Sequence, residues 1–185
     1  MKKSINLIFI LLVASNVIFA QEKFFTRSGA LSFFSETPVE NIEAINHQAS
    51  CILDTQTGAV AVSAQMKGFE FEKALMQEHF NENYVESHKF PKATFKGEVV
   101  GFTSLKFSDK TPKTVEITGV LSIHGVNKQI KTNGTLSKEN GNFNAQVTFK
   151  VSPNDFDIKI PKAVINNISE KIEVSVHLQL EPYVQ

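Results

Sequence analysis

The chain has 185 residues with 19 Lys and Arg against 19 Asp and Glu, so it is formally neutral, and no stretch concentrates the basic residues. Nucleic acid and anionic membrane surfaces attract basic patches, and both are therefore poor candidate partners. Cys51 is the sole cysteine, which excludes an intramolecular disulfide and leaves stability to apolar burial.

Lys2 and Lys3 precede an apolar run over residues 5–13 that is broken by Asn6, and Ile18-Phe19-Ala20 sets a small residue before Gln21. This is the layout of a cleaved secretory signal peptide. A membrane-spanning anchor needs roughly 20 continuous apolar residues, and this run is shorter. Residues 1–20 are expected to be removed, leaving one domain, residues 21–185, in the periplasm or outside the cell. No Cys follows the cut, which argues against a lipid-anchored lipoprotein. The remaining 165 residues are enough for one core, and they carry fourteen Phe, two Tyr and no Trp.

Period-two alternation dominates the rest, as in half-buried strands. Strand signals cover residues 24–35 and 47–54, followed by a face of Val60, Val62, Ala64 and Met66 and a weaker signal over 93–101. Val115, Ile117, Gly119, Leu121 and Ile123 form the next face, and residues 129–136 a less distinct strand. In residues 143–152 every odd position is apolar, and the last strand sets Ile172, Val174, Val176, Leu178 and Leu180 on one side. Thr55 to Gly58, His124-Gly125-Val126-Asn127 and Asn140-Gly141 supply turns; Asn133-Gly134 offers another inside the sixth strand. Residues 72–81 carry Leu75, Met76, His79 and Phe80 at helical offsets, which predicts a short amphipathic helix. Pro38 suits the first turn of a smaller helix through Ile45, capped by Thr37.

Eight strands with one apolar face must bury it, and closing the sheet also removes its edges. The expected fold is all-β: a single antiparallel barrel of about eight strands with one or two short helices. Such a barrel can be filled by its own side chains or hold one small ligand. Small residues fall on the apolar faces at Ala49, Cys51, Ala64, Gly97, Gly119, Gly134 and Ala145, among larger ones such as Phe33, Leu53, Met66, Phe95, Phe143 and Phe149. They either leave room for a guest or relieve crowding where the barrel coils. Composition leaves both open.

Three segments bear on the choice. Residues 80–95 run from Phe80 through Phe90-Pro91 to Thr94-Phe95, and residues 117–126 contain Ile117-Thr118-Gly119 and Ile123-His124-Gly125-Val126. Residues 145–180 contain a strand, the pair Asp155-Phe156, a loop and a final alternating strand. In order and spacing these resemble the YceI-like polyisoprenoid-binding family. The resemblance implies a lipocalin-like barrel, usually periplasmic or secreted, around a long isoprenoid or fatty-acyl chain, and it brings no catalytic residue. The sequence departs from the family where Phe24 to Ala30 replaces an Asp-x-x-His-Ser segment, and at Asp157, where Gly is usual.

The expected lipid-lining residues are Phe33, Leu53, Ala64, Met66 and Phe95, then Ile117, Gly119, Ala145, Phe149 and Val176. Leu75, Met76 and Phe80 are expected to face the entering chain from the helix. No catalytic residue, metal or cofactor is expected. The five histidines are not paired at ligand spacing; His124 suits a turn hydrogen bond and His79 the mouth. Cys51 reads as a buried small hydrophobe. No Gly-x-Ser-x-Gly, Ser-x-x-Lys or Gly-Lys phosphate loop is present. Two alternatives stand beside a lipid carrier: an enzyme acting on a lipid at the barrel mouth, and a structural or interaction barrel with a filled core.

Overall fold

A computed structural model describes residues 23–107 and 111–183; the expected signal segment lies outside the described residues. Alternation becomes strand at each predicted place. The strands are β1 Lys23–Glu36, β2 Asn41–Asp54, β3 Ala59–Gln65, β4 Glu70–Phe71, β5 Lys92–Val99, β6 Lys113–Ile123, β7 Val126–Glu139, β8 Asn142–Val151 and β9 Ile172–Pro182. All pairings are antiparallel, in the order β1-β9-β8-β7-β6-β5-β3-β2, and β1 pairs with β2 to close the ring. The two-residue β4 adds to the start of β2. Eight long strands thus form a closed barrel, as the alternation predicts.

The meander places the connections in two sets. One end carries the hairpins after β2 and β7, the β5–β6 connection and the last residues of β9; the other carries the β1–β2 turn, the β3–β5 connection, the β6–β7 hairpin and the β8–β9 connection. The first end is plugged by aromatic rings. Phe143 packs edge-on against Phe24 at 4.7 Å and Phe107 at 5.1 Å, and Phe102 lies 5.9 Å from it. Lys138 sets its ammonium over the Phe143 ring. The second end is where the interior meets solvent.

Two expectations about local structure are corrected. No helix follows Pro38. Thr37 does accept hydrogen bonds from the N–H groups of Val39 and Glu40, as a helix cap would, but the chain turns at once into β2. Residues 41–46 pair with β1, and their alternation buries Ala44 and Asn46; strand pairing overrides the local helix signal. Asn133-Gly134 is not a turn, because β7 runs unbroken across both and pairs with β6 and β8 there.

The helix predicted over residues 72–81 is α1, Ala74–His79, continued by a π-helical turn, Phe80–Tyr84. Met66 does not extend β3: it opens a short 3-10 turn, Met66–Gly68, although it stays buried. Where the chain departs from the family pattern near its start, β1 slips register between Thr26 and Gly29, and its pairing with β9 lapses between Phe25 and Ala30. The segment 26–29 is a β-bulge. Asp157 sits at φ 55° closing the 3-10 turn Pro153–Phe156, a left-handed position that Gly fills readily and Asp tolerates.

Candidate functional site: an apolar lumen

The inward faces leave a cavity between them. Phe95, Ile117, Ala145, Val147, Phe149 and Val174 all point into the barrel yet stay only partly buried, because they border an open lumen. The cavity is about 370 Å³ and its walls are almost wholly apolar, within the size range of small-molecule sites, roughly 300–1,000 Å³.

Of the residues predicted to line it, Phe33, Leu53, Ala64, Met66, Met76 and Phe80 do so, as do Phe95, Ile117, Ala145, Phe149 and Val176. Leu75 does not: it is 61% exposed on the outer side of α1, one helical position away from the inward pair. Gly119 does not line the lumen either. It faces Gly97 in register, and a Cβ built on Gly119 would lie 2.5 Å from the Gly97 Cα and 2.7 Å from the Phe95 ring. Phe95 folds over this glycine pair, so the missing side chains seat a ring and let two strands approach, rather than leave a void. Gly134 and Ala49 are likewise filled by neighbours, the first beneath Val147 and Ile117 and the second fully buried. Among the small residues, Cys51, Ala64 and Ala145 border the lumen.

The open end is roofed by two flaps, residues 66–91 and 152–171, and two polar ties hold each flap to the barrel and to the other. At the first tie, His124 and Gly125 take positive φ, 51° and 77°, in the two-residue β6–β7 hairpin, as a I′ turn requires. Gly is needed beside it, since a Cβ on Gly125 would strike the Phe90 ring at 2.7 Å. The His124 ring packs on Phe90 at 4.5 Å. Its Nδ1 lies 3.1 Å from the Phe156 carbonyl and its Nε2 3.0 Å from the Glu86 carboxylate. One side chain therefore lies within hydrogen-bond reach of both flaps. The Lys89 ammonium, and then His124, hold the Glu86 carboxyl below its ordinary pKa.

At the second tie, Glu40 of the β1–β2 turn accepts from Lys73 Nζ at 2.8 Å and from Asn167 Nδ2 at 3.3 Å. Lys73 belongs to the first flap and Asn167 to the second. The Lys73 hydrogen bond, with Asn167 behind it, lowers the Glu40 pKa. Between the ties Phe33, Phe69, Phe71 and Phe80 pack against one another in tilted and edge-on pairs, with ring centroids 5.1–5.8 Å apart, an apolar ceiling over the lumen. His79 lies exposed at the mouth, and His47, His88 and His177 are exposed elsewhere. Cys51 is 1% exposed, and burial pushes its thiol up to about 12. Among the described residues no three His, Cys, Asp or Glu side chains converge as a set of metal ligands.

These features define a closed antiparallel barrel hollowed around an apolar lumen, plugged at one end and roofed at the other. The YceI-like domain pattern matches residues 15–180, and the chain belongs to that family. No curated protein matches it in sequence. Among solved structures it is similar to a polyisoprenoid-binding domain from Saccharophagus degradans implicated in plant cell wall breakdown. That likeness has a TM-score of 0.77 at 15% identity and covers 89% of this chain and 100% of the other. It is also similar to Burkholderia cenocepacia BcnA (TM-score 0.68, 12% identity, 82% and 95% covered). A Campylobacter jejuni YCEI protein aligns with a TM-score of 0.58 at 16% identity, covering 78% and 86%. At these identities the likeness shows the fold.

Proposed function

We propose that this protein is an exported binding protein that holds a long apolar lipid, a polyisoprenoid or fatty-acyl chain, inside its barrel without chemical turnover. The observation that carries this is the lumen itself: a volume of about 370 Å³ lined by inward Phe, Ile, Val and Leu. Empty apolar volume costs a folded protein stability, and an apolar chain filling it would recover the lost contacts. The structure described as a polyisoprenoid-binding domain, which shares this fold, supports the same reading. Phe33, Leu53, Ala64, Met66, Phe95, Ile117, Ala145, Phe149 and Val176 are proposed as the walls that touch the chain, with Met76 and Phe80 over its entry.

Native mass spectrometry of gently purified protein tests this, the expected result being a mass increment that organic extraction removes and identifies as a single-tailed lipid. Protein that arrives without adduct, and takes up neither isoprenoid nor fatty-acyl probes, would refute the proposal. Export belongs to the same proposal: N-terminal sequencing of the processed protein should start at Gln21, and an intact Met1 in a membrane fraction would contradict it.

A further inference from the structure

Among the described residues seven large apolar side chains are exposed. Ile52 and Val120 lie on the outer wall, on β2 and β6, and Val100 and Tyr183 at the plugged end. The remaining three are Val39, Leu75 and Ile165, at 63%, 61% and 53%, and their placement is not scattered. Val39 is next to Glu40, Leu75 is two residues after Lys73, and Ile165 is two before Asn167. Glu40 binds Lys73 and Asn167 directly, so the three loops that meet at this tie each present one bare apolar side chain. The lumen reaches the surface among the same loops, where Phe71, Met76, His79 and Val164 line it. Single exposed hydrophobes need no explanation, but a set rimming the opening of an apolar cavity does.

We propose that this rim docks on the surface of a neutral lipid bilayer, with Val39, Leu75 and Ile165 entering the headgroup layer and the lumen opening towards the acyl chains. Charge selects the partner. Glu40 and Lys73 neutralise each other, and residues 161–168 carry one charge, Lys162. Glu72 and Glu78 add negative charge on the remaining loop, so the rim offers an anionic surface no attraction and a zwitterionic one no penalty. The geometry suits a fluid partner: three separate side chains on three loops, not one flat patch. Docking also removes a physical obstacle, since a long chain passing through water would expose every methylene on the way. The inference rests on the lipid-carrier reading only for what passes through the opening; the docking itself stands apart from it.

The test is flotation of lipid-stripped protein with phosphatidylcholine vesicles. Wild type and the wall variant Ile52→Ser/Val120→Ser should float alike. The rim variant Val39→Ser/Leu75→Ser/Ile165→Ser should bind about tenfold more weakly or worse, as expected when apolar area is lost from an interfacial anchor. Adding phosphatidylglycerol should change wild-type binding by about twofold at most, because the rim has no basic cluster. Uptake of a fluorescent isoprenoid from vesicles should slow about tenfold in the rim variant, while uptake of the same probe from cyclodextrin stays unchanged. Wild type that never floats overturns the proposal, as does a rim variant that floats equally well. A concentration-dependent dimer abolished by the rim substitutions, without flotation, would assign the surface to a second copy instead. Flotation with no uptake from cyclodextrin would keep the docking surface and defeat the lipid-carrier reading.

Discussion

The imidazole of His124 joins the Glu86 carboxylate at 3.0 Å across 38 residues of sequence, and it does so while its other nitrogen meets the Phe156 carbonyl. Both partners are acceptors, so the doubly protonated ring satisfies both and the neutral ring one at a time. The side chain is 11% exposed. His124→Ala should strand the carbonyl of the buried Phe156 and empty the face of Phe90, lowering stability by about 1–3 kcal/mol. Denaturant unfolding measures this, and a value within error of zero would show that the flap is held by its apolar ceiling alone.

The same tie gives a pH dependence with a definite sign. Lys89 and His124 hold the folded Glu86 carboxyl below its ordinary value of 4.5. Its contribution is therefore complete above that value and is lost as pH falls through the lower folded one. Unfolding curves of wild type and Glu86→Gln should converge as the pH drops below about 4.5. Parallel curves over that range would mean the carboxylate contributes nothing to the acid limb.

Cys51 has the opposite sign. Burial pushes its thiol from 9.0 to about 12, so its contribution is complete below the ordinary value and drains away as pH rises towards the higher one. A thiol reagent at pH 9 should label the folded protein slowly and the denatured chain quickly. Cys51→Ala should fold and bind ligand at a cost of about 1 kcal/mol for the small volume lost. Fast labelling of the folded state would place the sulfur in reach of solvent and revive a thiol chemistry.

How much of this was legible beforehand depends on the range of the interaction. The faces of β6, β8 and β9 could be read directly, because period-two alternation is local and the inward set is all apolar. The first half of β2 could not. Its residues 41–46 follow a Thr-Pro pair that signals a helix, and only pairing with β1 decides otherwise. Neither tie at the mouth was visible, since Glu40 reaches 33 residues to Lys73 and 127 to Asn167, and no periodicity encodes such distances. Glycine gave a half-right signal. Gly97 and Gly119 do mark absent volume on the inward face, but register places them opposite each other and beneath Phe95, so the volume is already used. Leu75 missed the lumen for a simpler reason: neighbours in a helix point about 100° apart, and Met76 is the one turned inward.

That glycine pair makes a sharp mutational contrast. Gly119→Ala would put a methyl 2.5 Å from both the Gly97 Cα and the Lys96 carbonyl, and backbone on both sides cannot give way. Destabilisation of about 1–3 kcal/mol or more is expected, the usual cost of overpacking. Thermal unfolding reads it, and a variant as stable as wild type would mean that β5 and β6 can part more easily than their register suggests.

Ala145 is the counterpart, a small inward residue with open space before it. It sits in register between Leu136 on β7 and Leu178 on β9, both buried, and borders the lumen itself. In a packed core Ala145→Phe would carry the same penalty as at Gly119, roughly 1–3 kcal/mol or more. Here the new ring can swing into the lumen, adding apolar contacts at little steric cost. Lipid-stripped Ala145→Phe is therefore expected to unfold within about 1 kcal/mol of stripped wild type, because it fills volume that water or lipid otherwise takes. The same ring would occupy the space of the guest, so a fluorescent isoprenoid or fatty-acyl probe should bind the variant at least about tenfold more weakly, a loss on the order of 1.4 kcal/mol. The pairing of outcomes is what makes the test decisive. Severe destabilisation of the stripped variant would show a lumen that collapses around its own side chains, as in a purely structural barrel. Normal folding with undiminished probe binding would put the lipid against another wall and leave β8 a bystander.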